Sequence, residues 1–317
     1  ATAAYVTDAI QKARRFDGVK GIEPAVPRQL LLLKLAQIVP APSNADERRE
    51  LAELQSSMTA TYGKGEYCPA PGSPLAKNAK KAAAGTKEEA GAKKCAATPL
   101  KLDDLSRVLK KSRNYDELLE AWKGWHTISP AMKDRYTRYA ELGNRGAKEI
   151  GFADMGALWR SGYDMSPQEF EADIERLWQD VKPLYDDLHC YTRKKLRTKY
   201  GKDKVGEKAP TPAHLLGNMW AQQWDGVYDL VEPFPGQGSL DVDKKLVQKK
   251  YDAKQMVKLG EAFFTSLGLD SLPPSFWERS LFTRPKDREV VCHASAWDVS
   301  WNGDLRIKMC IEPTEDD

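Results

Sequence analysis

The chain holds four histidines, His126, His189, His214 and His293. No two of them stand four residues apart with a glutamate between, so the H-E-x-x-H pattern that sets two imidazoles on one helix face around zinc is missing. A G-x-S-x-G elbow, a Walker loop and a G-x-G-x-x-G turn are missing as well, which removes the commonest serine-hydrolase, NTPase and dinucleotide readings. These residues contain no complete catalytic constellation. Two runs still carry more chemistry than scaffold requires. PAHLLGNMWAQQW (212–224) gathers His214, Asn218, Trp220, Gln222, Gln223 and Trp224 into a segment with helical spacing, too polar and aromatic for an ordinary core face. VCHASAWD (291–298) sets the small residues Ala294, Ser295 and Ala296 between His293 and Trp297 on a predicted strand. Small side chains at a sheet edge let a second backbone approach closely, as in β-strand addition of an extended peptide.

Of five cysteines, Cys68 with Cys95 and Cys292 with Cys310 form two sequence-local couples, each bracketing a loop or hairpin. Closing loops of this length stabilises by roughly 3 kcal/mol each in the chain-entropy model. Disulfides and an oxidising compartment suit that arrangement, and free buried thiols are the alternative. Metal binding fits poorly, because structural zinc sites favour ligands two to four residues apart. Cys190, beside His189 in a helical segment, reads as a small buried hydrophobe. No N-x-S/T acceptor occurs.

These residues have to be positioned by helices. From Ser166 the chain shows a Ser N-cap, Pro167 at the first helical position and Glu169 placed for a capping box. A long helix is predicted, with Phe170, Ile174, Leu177, Trp178, Val181, Leu184, Tyr185 and Leu188 in one stripe, a kink at Pro183 and an end at Gly201. The same period predicts helices over 1–16, 27–39, 45–62, 102–111, 115–126, 130–149, 212–230 and 253–267. Strand character is confined to 288–310, around Asn302-Gly303, a two-residue hairpin signal. The fold class is therefore mainly α with one small antiparallel β element.

With 317 residues, 41% of them hydrophobic, the chain can bury one large core or two small ones. A mean hydropathy of −0.61 and the lack of any apolar run near the ~20 residues a bilayer needs predict no membrane span. A net charge of +3 gives no sustained field for nucleic acid. The stretch 69–94, rich in Ala, Lys, Gly and Pro, reads as a solvated surface insertion. Its lysines are interrupted by Glu88 and Glu89 and carry no aromatic residue for base stacking.

PAHLLGNMWAQQW, EAFFTSLGLDSLPPSFWERS (261–280) and REVVCHASAWDVSWNGDLRIKMC (288–310) resemble consecutive stretches of the angiotensin-converting-enzyme family of zinc peptidyl-dipeptidases. LLLLKLAQIVPAP (30–42), YGKGEYCP (62–69), ELLEAWKGW (117–125) and ADMGALWRSGYDM (153–165) do so too, in order along essentially the whole chain. The resemblance implies a helical ellipsoid with a deep central cleft. It implies removal of dipeptides from the free C-terminus of oligopeptides in a periplasmic or secreted setting. In the family a metal motif follows the second half-cystine, so residues 1–317 are expected to form the N-terminal half of one peptidase domain. Zinc ligands are then expected beyond Asp317, in the C-terminal half of the same enzyme, and this chain alone is expected to be inactive. A non-catalytic peptide- or protein-binding module of the same fold is the alternative.

Residue by residue, the resemblance makes Gln222 the donor to the substrate's terminal carboxylate, a bond worth about 1.5–3 kcal/mol. It makes His293, Ala294 and Ala296 the strand that binds substrate backbone, and Asp316 and Asp317 an acidic pair lining adjacent subsites. Asn218, expected one helical turn before Gln222, lines the same pocket. Tyr163 matches a ligand of one family chloride ion and Trp220 a wall of another. Where the family commonly has Arg as a chloride ligand, this chain has His126, which weakens that anion site and makes it pH-dependent. The resemblance also implies the pairings Cys68–Cys95 and Cys292–Cys310.

Overall fold

The computed structural model describes residues 2–23, 25–78, 95, 98–236, 242–288, 290, 292–300 and 302–313. They form two compact units, 1–232 and 233–317. In the first, the helices are α1 (Thr2–Ala13), α2 (Ala25–Leu35), α3 (Ala45–Gly63), α4 (Pro74–Asn78), α5 (Leu102–Lys111), α6 (Tyr115–His126), α7 (Lys133–Glu149), α8 (Met155–Arg160), α9 (Pro167–Tyr200) and α10 (Tyr228–Val231). The second unit holds α11 (Val242–Gln248), α12 (Ala253–Ser266), α13 (Pro274–Arg279), β1 (Ser295–Asp298) and β2 (Leu305–Lys308). The protein is mainly α with a two-stranded antiparallel sheet, as the sequence periodicity requires.

Local chemistry explains the helix starts. Asn44 and Asn114 each accept two backbone N–H bonds at the heads of α3 and α6. Ser166 and Glu169 close a capping box on α9, and Asp252 and Gln255 do the same on α12. Such caps contribute about 1 kcal/mol each. Gly201, at φ +93°, ends α9. The helix continues past Pro183 to Tyr200.

The main core of the first unit is Leu105 and Leu109 from α5, Leu118, Ala121 and Trp125 from α6, Leu196 from α9, and Leu215, Leu216 and Met219 from the segment after α9. Leu75 of α4 joins it, so the stretch beginning at residue 69 is anchored at its start; Glu120 accepts from the Leu75 N–H at 3.0 Å. Residues 79–94 of that stretch lie outside the described residues. Tyr67 and Leu100 exchange two backbone bonds beside the Cys68–Cys95 disulfide, which fastens both ends of the stretch. In the second unit Phe276, Phe282 and Ile311 form the core under α12, α13 and β2.

Two expectations need correction. Cys190 is exposed, not buried: it stands two residues from the buried Thr192, on the opposite side of α9. The hairpin is wider than its Asn-Gly pair suggests. The Val299 N–H bonds to the Asp304 carbonyl at 3.0 Å, and the Asp298 carboxylate accepts from the Ser300 and Gly303 N–H groups, so pairing stops at Val299 and Asp304.

The α9 stripe is present but uncovered. Leu184 is 74% exposed, and Ile174, Leu177, Trp178, Val181, Tyr185 and Leu188 are all exposed, while only the C-terminal third packs, through Thr192 and Leu196. Leu105→Ala is expected to lower the stability of the 317-residue chain by about 2–5 kcal/mol, and Leu184→Ala by less than about 0.5 kcal/mol. Urea unfolding of both variants measures the contrast.

Candidate functional site

The run 212–224 does not form the predicted helix. After one tight turn over Ala213–Leu215, Gly217 takes φ +76° and the chain leaves on an irregular loop that returns at Gly226. The two glycines lie backbone against backbone. A Cβ on Gly217 would fall 2.8 Å from the Gly226 carbonyl carbon, and one on Gly226 would fall 2.5 Å from the Gly217 oxygen. Within the loop, Asn218 Oδ1 accepts from the Trp220 N–H at 2.8 Å, an Asx turn that competes with helix. Asn218 therefore shapes the loop rather than standing a helical turn before Gln222. Gly217-Asn218 was the turn signal available in the sequence, and the apolar spacing around it masked that signal.

Gln222 sits at the exposed tip of this loop, directly after Ala221, whose φ of +54° is a conformation that L-residues avoid. Such strain persists only where surrounding contacts over-determine it. Met219 is buried in the main core, and Trp224 Nε1 donates to the Ala221 carbonyl at 3.1 Å. Arg113 donates to the Gly226 carbonyl at 2.8 Å and pairs with Asp229, and Lys110 pairs with Asp225 at 3.2 Å. Nothing in the spacing of the sequence pointed to Arg113 as the clasp of this loop.

Trp220 is exposed and lies edge-on to His126, with ring centroids 6.0 Å apart. His126 is stacked on Trp122, so the structure brings two predicted residues of the anion-site region together. Tyr163 belongs instead to the turn between α8 and α9, where its ring stacks on Phe170 at 4.1 Å. Behind the loop, His214 is buried edge-on against Tyr115. Burial, with Lys123 and Lys204 adding to it, pushes its pKa down to about 4.

In the second unit, geometry decides which atoms of β1 are free. Ile307 accepts from the Leu281 N–H through its carbonyl, and its own N–H donates to Ser280 Oγ, so its backbone groups face away from β1. Backbone direction alternates along a strand, so Arg306 and Lys308 turn toward β1 and bond Trp297 and Ser295, their partners in register. Ala296, opposite Ile307, then points its N–H and C=O out of the sheet, and Ala294 stands one residue before the strand. Among the described residues nothing pairs with that edge. His293 is exposed, with Nδ1 3.0 Å from the Ala294 carbonyl. Cys292–Cys310 holds the strand ends together, with Cα atoms 5.1 Å apart. Both disulfide pairings match those implied by the resemblance and fit an oxidising compartment. Asp316 and Asp317 lie outside the described residues.

The sequence model of the family described as Angiotensin-converting enzyme, peptidase family M2, matches residues 1–317. The chain belongs to the angiotensin-converting enzyme family. It is 49% identical over 223 residues to the angiotensin-converting enzyme of Sus scrofa, covering 69% of this chain and 17% of that protein. Identity to the angiotensin-converting enzyme of Theromyzon tessulatum is 37% over 303 residues, 95% of this chain and 45% of that protein. For that of Haematobia irritans exigua it is 35% over 275 residues, covering 86% and 41%. The chain thus spans less than half the length of each of these relatives. Among the described residues no three His, Cys, Asp or Glu side chains converge, so these donors do not fit the zinc that angiotensin-converting enzymes use. No described helix is long and apolar enough to cross a membrane.

The folded-state pKa of His214 lies below its unfolded value of about 6.5, so folding expels a proton and the associated stability is present above that pH. It is lost as pH falls toward about 4. Between pH 7 and 4.5 the wild type is expected to lose about 2–3 kcal/mol more stability than His214→Phe. Urea unfolding at the two pH values reads this difference.

Proposed function

We propose that this chain is the peptide-holding part of a secreted or periplasmic zinc peptidyl-dipeptidase that releases dipeptides from the free C-terminus of oligopeptides. The observation that carries the reading is the match of residues 1–317 to a peptidase family. Gln222 is assigned the substrate's terminal carboxylate. Its exposure at the tip of a loop closed by Gly217 and Gly226 supports that role, because a neutral amide on a fixed loop donates to a carboxylate without first being freed from another partner. Ala294 and Ala296 are assigned the substrate main chain, Ala296 through its outward N–H and C=O groups, and their methyl side chains leave room for a second backbone. His293 is assigned a ring contact to the same peptide, and Asp316 and Asp317 are assigned the neighbouring subsites. Tyr163 and Trp220 are assigned to chloride, with His126 making the second anion site weaker than an arginine would.

The metal belongs, in this reading, to sequence that the longer relatives have and this chain does not span. The same C-terminal part completes a single peptidase domain with residues 1–317 and covers the apolar face of α9. Seven exposed large side chains between Ile174 and Leu188 support that assignment, since contiguous apolar surface of this extent marks an interaction face.

In the full-length protein, Gln222→Ala is expected to lower kcat/KM for peptides with a free C-terminus by roughly ten- to a hundred-fold, from loss of about 1.5–3 kcal/mol. C-terminally amidated peptides are expected to be poor substrates of the wild type and to lose much less in the variant. Equal losses for acid and amide peptides would mean that Gln222 serves the loop and not the substrate.

A further inference from the structure

We propose that His126 and His189 are positioning residues that grip the Gln222 loop from two sides, each through one tryptophan. The proposal rests on the assignment of Gln222 to the peptide carboxylate. Trp220 and Trp224 stand two residues before and two residues after Gln222. His126, the last residue of α6, meets Trp220 at 6.0 Å and 71° between planes. His189, in α9, meets Trp224 at 4.6 Å and 80°. Both are edge-on geometries, the arrangement aromatic quadrupoles favour. The two histidines come from different helices, so the loop is held at two points that do not share an element.

Each ring is itself fixed. His126 lies stacked on Trp122 at 4.1 Å, and its Nδ1 is 2.7 Å from the Trp122 carbonyl. A carbonyl only accepts, so Nδ1 carries the proton and the ring orientation is set. His189 leans on Tyr185 at 4.2 Å, and Tyr185 in turn meets Trp178 at 5.2 Å, so Trp224 ends an aromatic row running along α9. Between the two grips lies the strained Ala221, whose positive φ aims the next residue. Trp224 also holds the Ala221 carbonyl through Nε1, so a displaced Trp224 removes the bond that keeps Ala221 in this conformation. The glycine contact closes the base of the loop, and the histidines fix its tip. Loss of either grip leaves the loop attached but lets Gln222 wander, which weakens carboxylate capture without touching bond cleavage.

The test uses His126→Ala, His189→Ala and His189→Phe beside Gln222→Ala. Amide hydrogen exchange of 218–225, and KM and kcat for acid peptides, are read in the full-length protein. Each alanine variant is expected to raise exchange in the loop with α3 and α7 unchanged, and to raise KM roughly tenfold with kcat within about twofold. The His189→Phe variant, which keeps a ring edge against Trp224, is expected to stay within roughly threefold of wild type. Unchanged KM in the alanine variants, while Gln222→Ala keeps its acid-selective loss, overturns the grip. A His189→Phe variant as impaired as His189→Ala overturns it too, as does lost protection in α3 and α7 throughout the set. If Gln222→Ala is silent for acid peptides, the assignment of Gln222 falls, whatever the loop exchange shows.

Discussion

The approach of Gly217 and Gly226, backbone on backbone, is the constraint from which the rest of the first unit's functional surface follows. No side chain fits between them, since a Cβ on either would sit under 3 Å from main-chain atoms of the other. That contact turns 218–225 into a closed loop instead of a continuation of helix, and Arg113 seals it by bonding the Gly226 carbonyl. Met219 sinks into the core, so Trp220, Gln222 and Gln223 are left outside. An exposed glutamine would ordinarily be unremarked. Here it follows a residue held at positive φ and stands between two tryptophans anchored on different helices.

The second unit solves a different problem by register. Leu281 and Ser280 occupy the outer side of Ile307, which turns Arg306 and Lys308 inward and leaves the Ala296 backbone groups free. An unpaired edge is usually blunted by charge or bulk. This one carries alanines, and a disulfide between Cys292 and Cys310 braces the strand ends where a longer sheet would have supported them.

Helices with strong local signals were legible in the sequence. α6 lies over the predicted 115–126 and α5 over 102–111, because the apolar period there agrees with an N-cap or a buried face. The α9 capping box was readable from Ser166 and Glu169 for the same reason. The short helices α4, α8, α11 and α13 escaped, since one or two turns carry too little period to register. At 217–226 the spacing of Leu215, Leu216, Met219 and Trp220 mimics a helical stripe, and the Gly217-Asn218 turn together with the contact between Gly217 and Gly226 decides against it. Small residues on a strand-like run already mark Ala294–Ala296 in the sequence, whereas the role assigned to Gln222 comes from likeness to a family and not from periodicity. Arg113, and the grip of His126 and His189 on the loop, depend on contacts across 35 to 116 residues, which no local pattern encodes.

The account holds that an extended peptide is captured by the outward main chain of β1, and amide exchange of residues 292–298 in the full-length protein, with and without a bound peptide bearing a free C-terminus, tests this most directly. The Ala296 N–H is expected to gain protection while those of Ser295 and Trp297, already bonded to β2, stay as they were. Protection gained equally along the strand, or none at Ala296, would contradict it.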